Sequence, residues 1–107
     1  MSVKLLVLKS YEDIIADVKE MMSGEKVISY LLTNPFVTRV NDGEDGTGSS
    51  VTYYPYVPLS KQKEIPIPCD WVVSIVEPLD EVKESYLEHV NGQTVGTGEQ
   101  SDSGDSD

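Results

Sequence analysis

Cysteine and histidine each occur once in this chain, at Cys69 and His89. A single cysteine excludes an intrachain disulfide and a multi-cysteine zinc site, and it suits a reducing cytoplasm. A cysteine nucleophile would need a base, and the one histidine sits on a segment that reads as a terminal helix. Cys69 is therefore expected to be a small buried apolar residue, and His89 a cation favoured near that helix's C-terminus. Positive charge is scarce as well: eight Lys and Arg face nineteen Asp and Glu, for a net charge of −11. Four of those acids (Glu99, Asp102, Asp105, Asp107) lie in the last sixteen residues, so fifteen acids still face eight cations over residues 1–91. A protein that grips duplex nucleic acid through its phosphates has the opposite balance. No stretch approaches the ~18 apolar residues of a membrane span. Residues 1–30 lack the charged head, apolar run and cleavage site of a signal peptide. There is no P-loop, no GxGxxG and no zinc-ligand spacing. Carboxylate pairs abound only because the chain is acidic, so neither an enzyme nor a cofactor is expected.

What is present reads as one small domain over residues 1–91 followed by a tail. The final GQTVGTGEQSDSGDSD has one aliphatic residue, Val95, and no aromatic, too little to offset the entropy of ordering, so residues 92–107 are expected to be an acidic disordered tail. VKLLVL (3–8) is a short apolar run, read as a strand. YEDIIADVKEMM (11–22) is ambiguous. Ile14, Ile15, Val18, Met21 and Met22 fall on one face of a helix, with Ser10 and Asp13 resembling a capping box; the local pattern favours helix. KVISYLLT (26–33) is β-branched and aromatic. Asn34-Pro35 is expected to break it before Phe36–Val40 resumes, which is also the plainest reading of Asn34-Pro35-Phe36, a tripeptide that elsewhere docks to peptide-binding domains. VTYYPYV (51–57) reads as an edge strand because of Pro55. Leu79 to Val90 is an amphipathic helix with Leu79, Val82, Tyr86, Leu87 and Val90 on one face, acids Asp80 and Glu81 in its first turn, and Gly92 as its expected end.

IPIPCDWVVSIVEP (65–78) poses a contradiction: the most β-prone run of the chain begins with Pro66 and Pro68, which lack a backbone donor. The pair fits an edge segment whose missing donors point away from a neighbour. Cys69-Asp70 then turns a corner, and Trp71 to Val76 form a closing strand. Trp71, Val72, Val73, Ile75 and Val76 crowd that strand with apolar bulk, so both faces are expected to be buried, one of them by a second subunit. Short strands with one terminal helix suggest a small, strongly bent antiparallel barrel.

The spacing Ile67-x4-Val72-x2-Ile75 resembles the second signature of Sm-like proteins, and Leu8 to Ala16 resembles the turn between their first two strands. YEDIIAD, LLTNPF and IPIPCDWVVSIVEP, in that order over residues 3–78, are similar to Sm-like proteins of tailed phages, including cyanophages. The resemblance implies a mostly β fold: a five-stranded Sm-like (SH3-like) barrel, here with one C-terminal helix over 79–90. It makes residues 12–20 the second strand, against their local helix pattern. It implies a homo-oligomeric ring of about five to seven copies joined edge to edge, with Val51, Tyr53, Val72, Val73 and Val76 at the interface. It also implies single-stranded RNA as a partner, and the cytoplasm of a bacterial host as the location if the chain is phage-encoded. Two features depart from the family. Pro68-Cys69 or Cys69-Asp70 stands where RNA-binding members carry Arg-Gly, and proline cannot donate while aspartate repels phosphate. The first-signature pocket is not recognisable; Asn34 is the substitute the sequence offers. The alternative is an acidic protein-binding scaffold, used in phage assembly or host takeover, with no nucleic-acid binding.

Tyr54, Tyr56 and Trp71, with Asn34, are the candidates for contacting RNA, because aromatic faces on strands can stack bases; aromatics on strands are more often core or subunit contacts. The loop NDGEDGTGSS (41–50) has the acids of a calcium loop, but Gly43 replaces a ligand and Thr52 stands where the bidentate Glu belongs, which points to a solvated loop and no metal.

Overall fold

The computed structural model describes residues 2–42 and 49–96. Six strands and one helix follow in order: β1 (Val3–Leu8), β2 (Asp13–Ser23), β3 (Lys26–Asp42), β4 (Ser49–Pro55), β5 (Glu64–Pro68), β6 (Val72–Val76) and α1 (Asp80–Gly96), with a 3-10 turn at Cys69–Trp71. All pairings are antiparallel, in the lateral order β4-β3-β2-β1-β6, with β5 also on β3. β4 and β5 share one flank of β3: Phe36 pairs with Pro55 and Thr33 with Glu64. They act as one ribbon interrupted by residues 56–63, so six segments fill five lateral positions of a curled, barrel-like sheet.

The ambiguous segment is a strand. Residues 13–17 pair with β1 and residues 14–23 with β3, so both flanks of β2 are hydrogen-bonded, which no helix there permits. Its burial follows a period of two. Ile14, Ala16 and Val18 enter the interior with Leu6, Leu8, Leu32 and Ile67, while Ile15 enters a second cluster on the opposite face. Met21 and Met22, which complete the helical pattern, are exposed. Tertiary pairing outweighs a propensity difference of at most about 0.7 kcal/mol per residue.

Asn34-Pro35 does not end a strand; β3 runs through it for 17 residues. Asn34 adopts φ 51°, and the register with β2 slips between Ile15 and Asp17, so the pair forms a bulge that bends the strand. The bend lets one long strand carry β5 on its first half and β4 on its second.

The helix covers the face opposite the interior. Tyr86, Val82, Leu87 and Val90 pack with Val3, Ile15 and Phe36. The Phe36 ring meets Tyr86 edge-on at 6.2 Å and His89 at 5.0 Å. Three expectations need correction here. Leu79 precedes the helix and is 69% exposed. Gly92 does not stop the helix, which continues to Gly96 and takes in the first part of the expected tail; the rest of that tail lies outside the described residues. His89 therefore stands within the helix, against Phe36 and Tyr53, not at its end.

Tyr86 is the joint between helix and sheet. Its hydroxyl shares its one proton between the carbonyls of Asn34 (2.8 Å) and Thr33 (3.3 Å), with Asn34 the closer acceptor. Burial first, then the negative charge of Asp17, push its phenol up to about 12, partly opposed by a backbone hydrogen bond from Asp17. The neutral form is thus the folded form. Since the folded value lies above the unfolded one of 10.0, stability is intact below pH 10 and declines as the pH rises from 10 toward 12. The linkage predicts a loss on the order of 2–3 kcal/mol across that window, checked by urea denaturation at pH 8 and pH 11.5. The Tyr86→Phe variant should lack this component of the alkaline decline.

Candidate functional site

Pro66 and Pro68 lie where the sheet can accept them. Pro66 pairs with Leu31 and Pro68 with Ser29 on β3. Residues two apart turn their N–H groups to the same side, so Ile65 and Ile67 can serve the ladder while both prolines spend their missing donor on the outer edge. Ile67 is 5% exposed and fills the interior. The corner is the 3-10 turn, with Lys9 N–H donating to the Trp71 carbonyl at 2.9 Å. Cys69 is half-buried there and Asp70 exposed.

Trp71 therefore belongs to the corner, and the closing strand starts one residue later. Its alternation is also interrupted. Leu8 pairs with Val72 and Val7 with Ser74, which leaves Val73 bulged. Val72 and Ile75 consequently both pack on the interior, whereas Val73 (62%), Val76 (47%) and Trp71 (41%) are exposed. One face of β6 is thus buried by the chain itself, and its outward face, the one expected to be covered by a second subunit, is open in the single chain.

Of the five expected interface residues, the chain itself takes up two. Val72 is in the barrel, and Tyr53 stacks at 5.4 Å on His89 with its hydroxyl donating to the Val82 carbonyl at 3.4 Å. Val51, Val73 and Val76 remain on the outer strands. Among the described residues, nothing pairs with the outer edges of β4 and β6, the two ends of the sheet path. Neither strand carries a charged side chain: β4 reads SSVTYYP and β6 reads VVSIV.

The four residues expected to contact RNA are not gathered at one point. Asn34 and Tyr56 line a hollow of about 240 Å³ between the β3 bulge and the 56–63 segment, together with Pro35, Pro55, Pro58, Lys61 and Lys63 among others. Tyr54 and Trp71 do not line it. Tyr54 is exposed on β4 with the Arg39 guanidinium 5.7 Å above its ring, a cation–π contact. Tyr56 ends outside β4, packs its ring on the interior cluster, and has its phenol raised by burial and then by the charge of Glu12.

The hollow is built by backbone bonds. Asn34 N–H donates to the Lys63 carbonyl at 2.7 Å and Tyr56 N–H to the Pro35 carbonyl at 3.0 Å, so both ends of the excursion are tied to the bulge. Within it, Ser60 N–H reaches the Val57 carbonyl at 3.1 Å and Gln62 N–H the Ser60 Oγ at 3.0 Å. The left-handed conformation of Asn34 suits glycine, is tolerated by asparagine, and is an outlier for a β-branched residue. Asn34→Val is expected to cost about 1–3 kcal/mol by that strain, and Asn34→Gly under about 1 kcal/mol; thermal unfolding of both variants checks the difference. Lys61 and Lys63 were not singled out in the sequence. The signal was an SKQK turn (60–63) set between Pro58 and the β5 prolines.

Among the described residues no three His, Cys, Asp or Glu side chains stand close enough to hold a metal ion. No described helix is long and apolar enough to cross a membrane. The acid-rich 43–48 part of the stretch read as a solvated loop lies outside the described residues; its flanks, Asn41-Asp42 and Ser49-Ser50, are paired ends of β3 and β4. No curated protein matches the chain. A family model does match, over residues 1–91, which span the sheet and most of the helix: the chain belongs to DUF6561, a family of unknown function.

Proposed function

We propose that this protein is a non-enzymatic assembly module whose copies join edge to edge into a closed, Sm-like ring. One observation carries the reading: both ends of one curled sheet path are uncharged and unpaired among the described residues. Soluble proteins ordinarily blunt such edges with lysine, proline or a covering segment. β5 is blunted in this way by Pro66 and Pro68; β6 is not, and β4 only at its terminal Pro55. A β4 edge on one copy and a β6 edge on the next make a head-to-tail contact, which closes if its rotation divides the circle. The outward Val73 and Val76 would gain burial in that contact. A ring of about five to seven copies follows from the Sm-like resemblance.

The ring's partner is proposed to be a basic protein surface, with the ring as an acidic scaffold in phage assembly or host takeover. The excess of acids over residues 1–91 favours this, as does the exposed Asp70 at the corner, where Pro68-Cys69 or Cys69-Asp70 stands in place of the Arg-Gly of RNA-binding Sm-like proteins. A second reading, single-stranded RNA, is favoured by the exposed Tyr54–Arg39 pair, a face that can stack a base beside a cation. Fluorescence titration with labelled oligo-U and oligo-A at two salt concentrations separates them. Absence of binding at low salt supports the scaffold; micromolar binding that weakens with salt supports RNA. The assembly itself is tested by native mass spectrometry at micromolar concentration.

A further inference from the structure

We infer that the hollow between the β3 bulge and residues 56–63 binds a small organic phosphate, with the phosphomonoester held by Lys61 and Lys63 and an apolar body against the proline and tyrosine walls. Its lining includes two of the eight cations of the chain and none of its nineteen acids. In so acidic a protein, random placement would favour carboxylates. Two other surface hollows mix the signs: one pairs Lys63 with Glu64, and another sets Lys4 and Lys19 beside Glu20, whereas this one carries cations alone.

Net charge does not cancel the site. At physiological salt the screening length is about 8 Å, so distant carboxylates act weakly on the hollow while two lysines at its wall act directly. Glu64 lines the adjoining hollow, and the charge of Glu12 is felt by the Tyr56 hydroxyl. Two ammonium groups match the charge of about −2 on a phosphomonoester better than the single charge of a carboxylate. Pro35, Pro55, Pro58 and Tyr56 supply an apolar wall, the combination of apolar lining and few convergent polar groups that marks a ligand site. The volume of about 240 Å³ limits the occupant to a small molecule. The hydrogen bonds from Asn34 to Lys63 and from Tyr56 to Pro35 fix the walls before any ligand arrives, which lowers the ordering cost of binding. Every lining residue comes from one chain, so no second copy is needed to complete the site.

The test is amide chemical-shift titration of the full chain with phenyl phosphate at constant ionic strength, with benzyl alcohol and inorganic phosphate as separate probes. Phenyl phosphate is expected to shift residues 34 and 56–63 with a dissociation constant of about 1 mM, the range open to so few atoms. Inorganic phosphate should bind several-fold more weakly, and benzyl alcohol should leave the segment unmoved. The K61Q/K63Q double variant should weaken phenyl phosphate at least tenfold, while K19Q/K26Q, with the same loss of charge elsewhere, should leave it unchanged. No saturable shift at about 20 mM, shifts spread over other lysines, or equal weakening in both double variants would overturn the inference.

Discussion

Tyr86→Ala is expected to destabilise the chain by about 3–5 kcal/mol, the range for deleting a buried aromatic ring. Tyr86 is 2% exposed and contacts the second core cluster of Val3, Ile15 and Phe36. Its removal opens a cavity, leaves the Asn34 and Thr33 carbonyls without their hydroxyl donor, and detaches the helix from the bulge. Tyr86→Phe removes only the hydroxyl and should cost about 1–2 kcal/mol. Urea denaturation followed by far-ultraviolet circular dichroism reads both. A cost below about 1 kcal/mol for Tyr86→Ala would mean that the helix is not part of the folded core.

The second large effect concerns assembly. Val73→Lys should abolish the oligomer while sparing the single-chain fold. Val73 sits at the β6 bulge with 62% of its surface exposed, so lysine there costs the isolated chain within about 0.5 kcal/mol. In an edge-to-edge contact the same ammonium is desolvated without a partner, at a cost of several kcal/mol. At about 1.4 kcal/mol per tenfold, the concentration for half-assembly should rise about a hundredfold or more. Ile28→Lys is the control, on a comparably exposed apolar residue of β3 away from the β4 and β6 edges. Sedimentation velocity of both variants against the parent gives the answer; equal behaviour of the two would remove β6 from the interface.

The strands that announce themselves locally, 3–8, 26–33 and the run after Trp71, were legible because β-branched and apolar residues are dense there. The second strand was legible only through resemblance: its local pattern fits a helix, and the two flanking ladders that decide it involve β1 and β3, which no window of the sequence contains. Asn34-Pro35 looked like a break because asparagine and proline usually end strands. It is instead a bulge, stabilised by Tyr86 from more than fifty positions away. The helix face was readable at Val82, Tyr86, Leu87 and Val90 by spacing, but Leu79 was not, since a residue just before a helix start shares its periodicity without its packing. Gly92 resembled a terminator because glycine favours that position, yet it lies inside the helix without a left-handed backbone. The hollow is hidden in the sequence for a related reason. It arises where residues 56–63 close back on a bulge formed by residues 34 and 35, and separation along the chain hides such a meeting. The aromatic candidates Tyr54, Tyr56 and Trp71 were identifiable as side chains but not as a group, because β4, the 56–63 segment and the 3-10 corner carry them to different surroundings.

The free edges of β4 and β6 remain the feature on which the functional reading turns, and native mass spectrometry of the full-length chain at about 10 μM addresses it most directly, since oligomers with a standard-sized interface persist at that concentration. The predicted result is one dominant closed species of about five to seven copies. A spectrum containing only single chains would contradict the account.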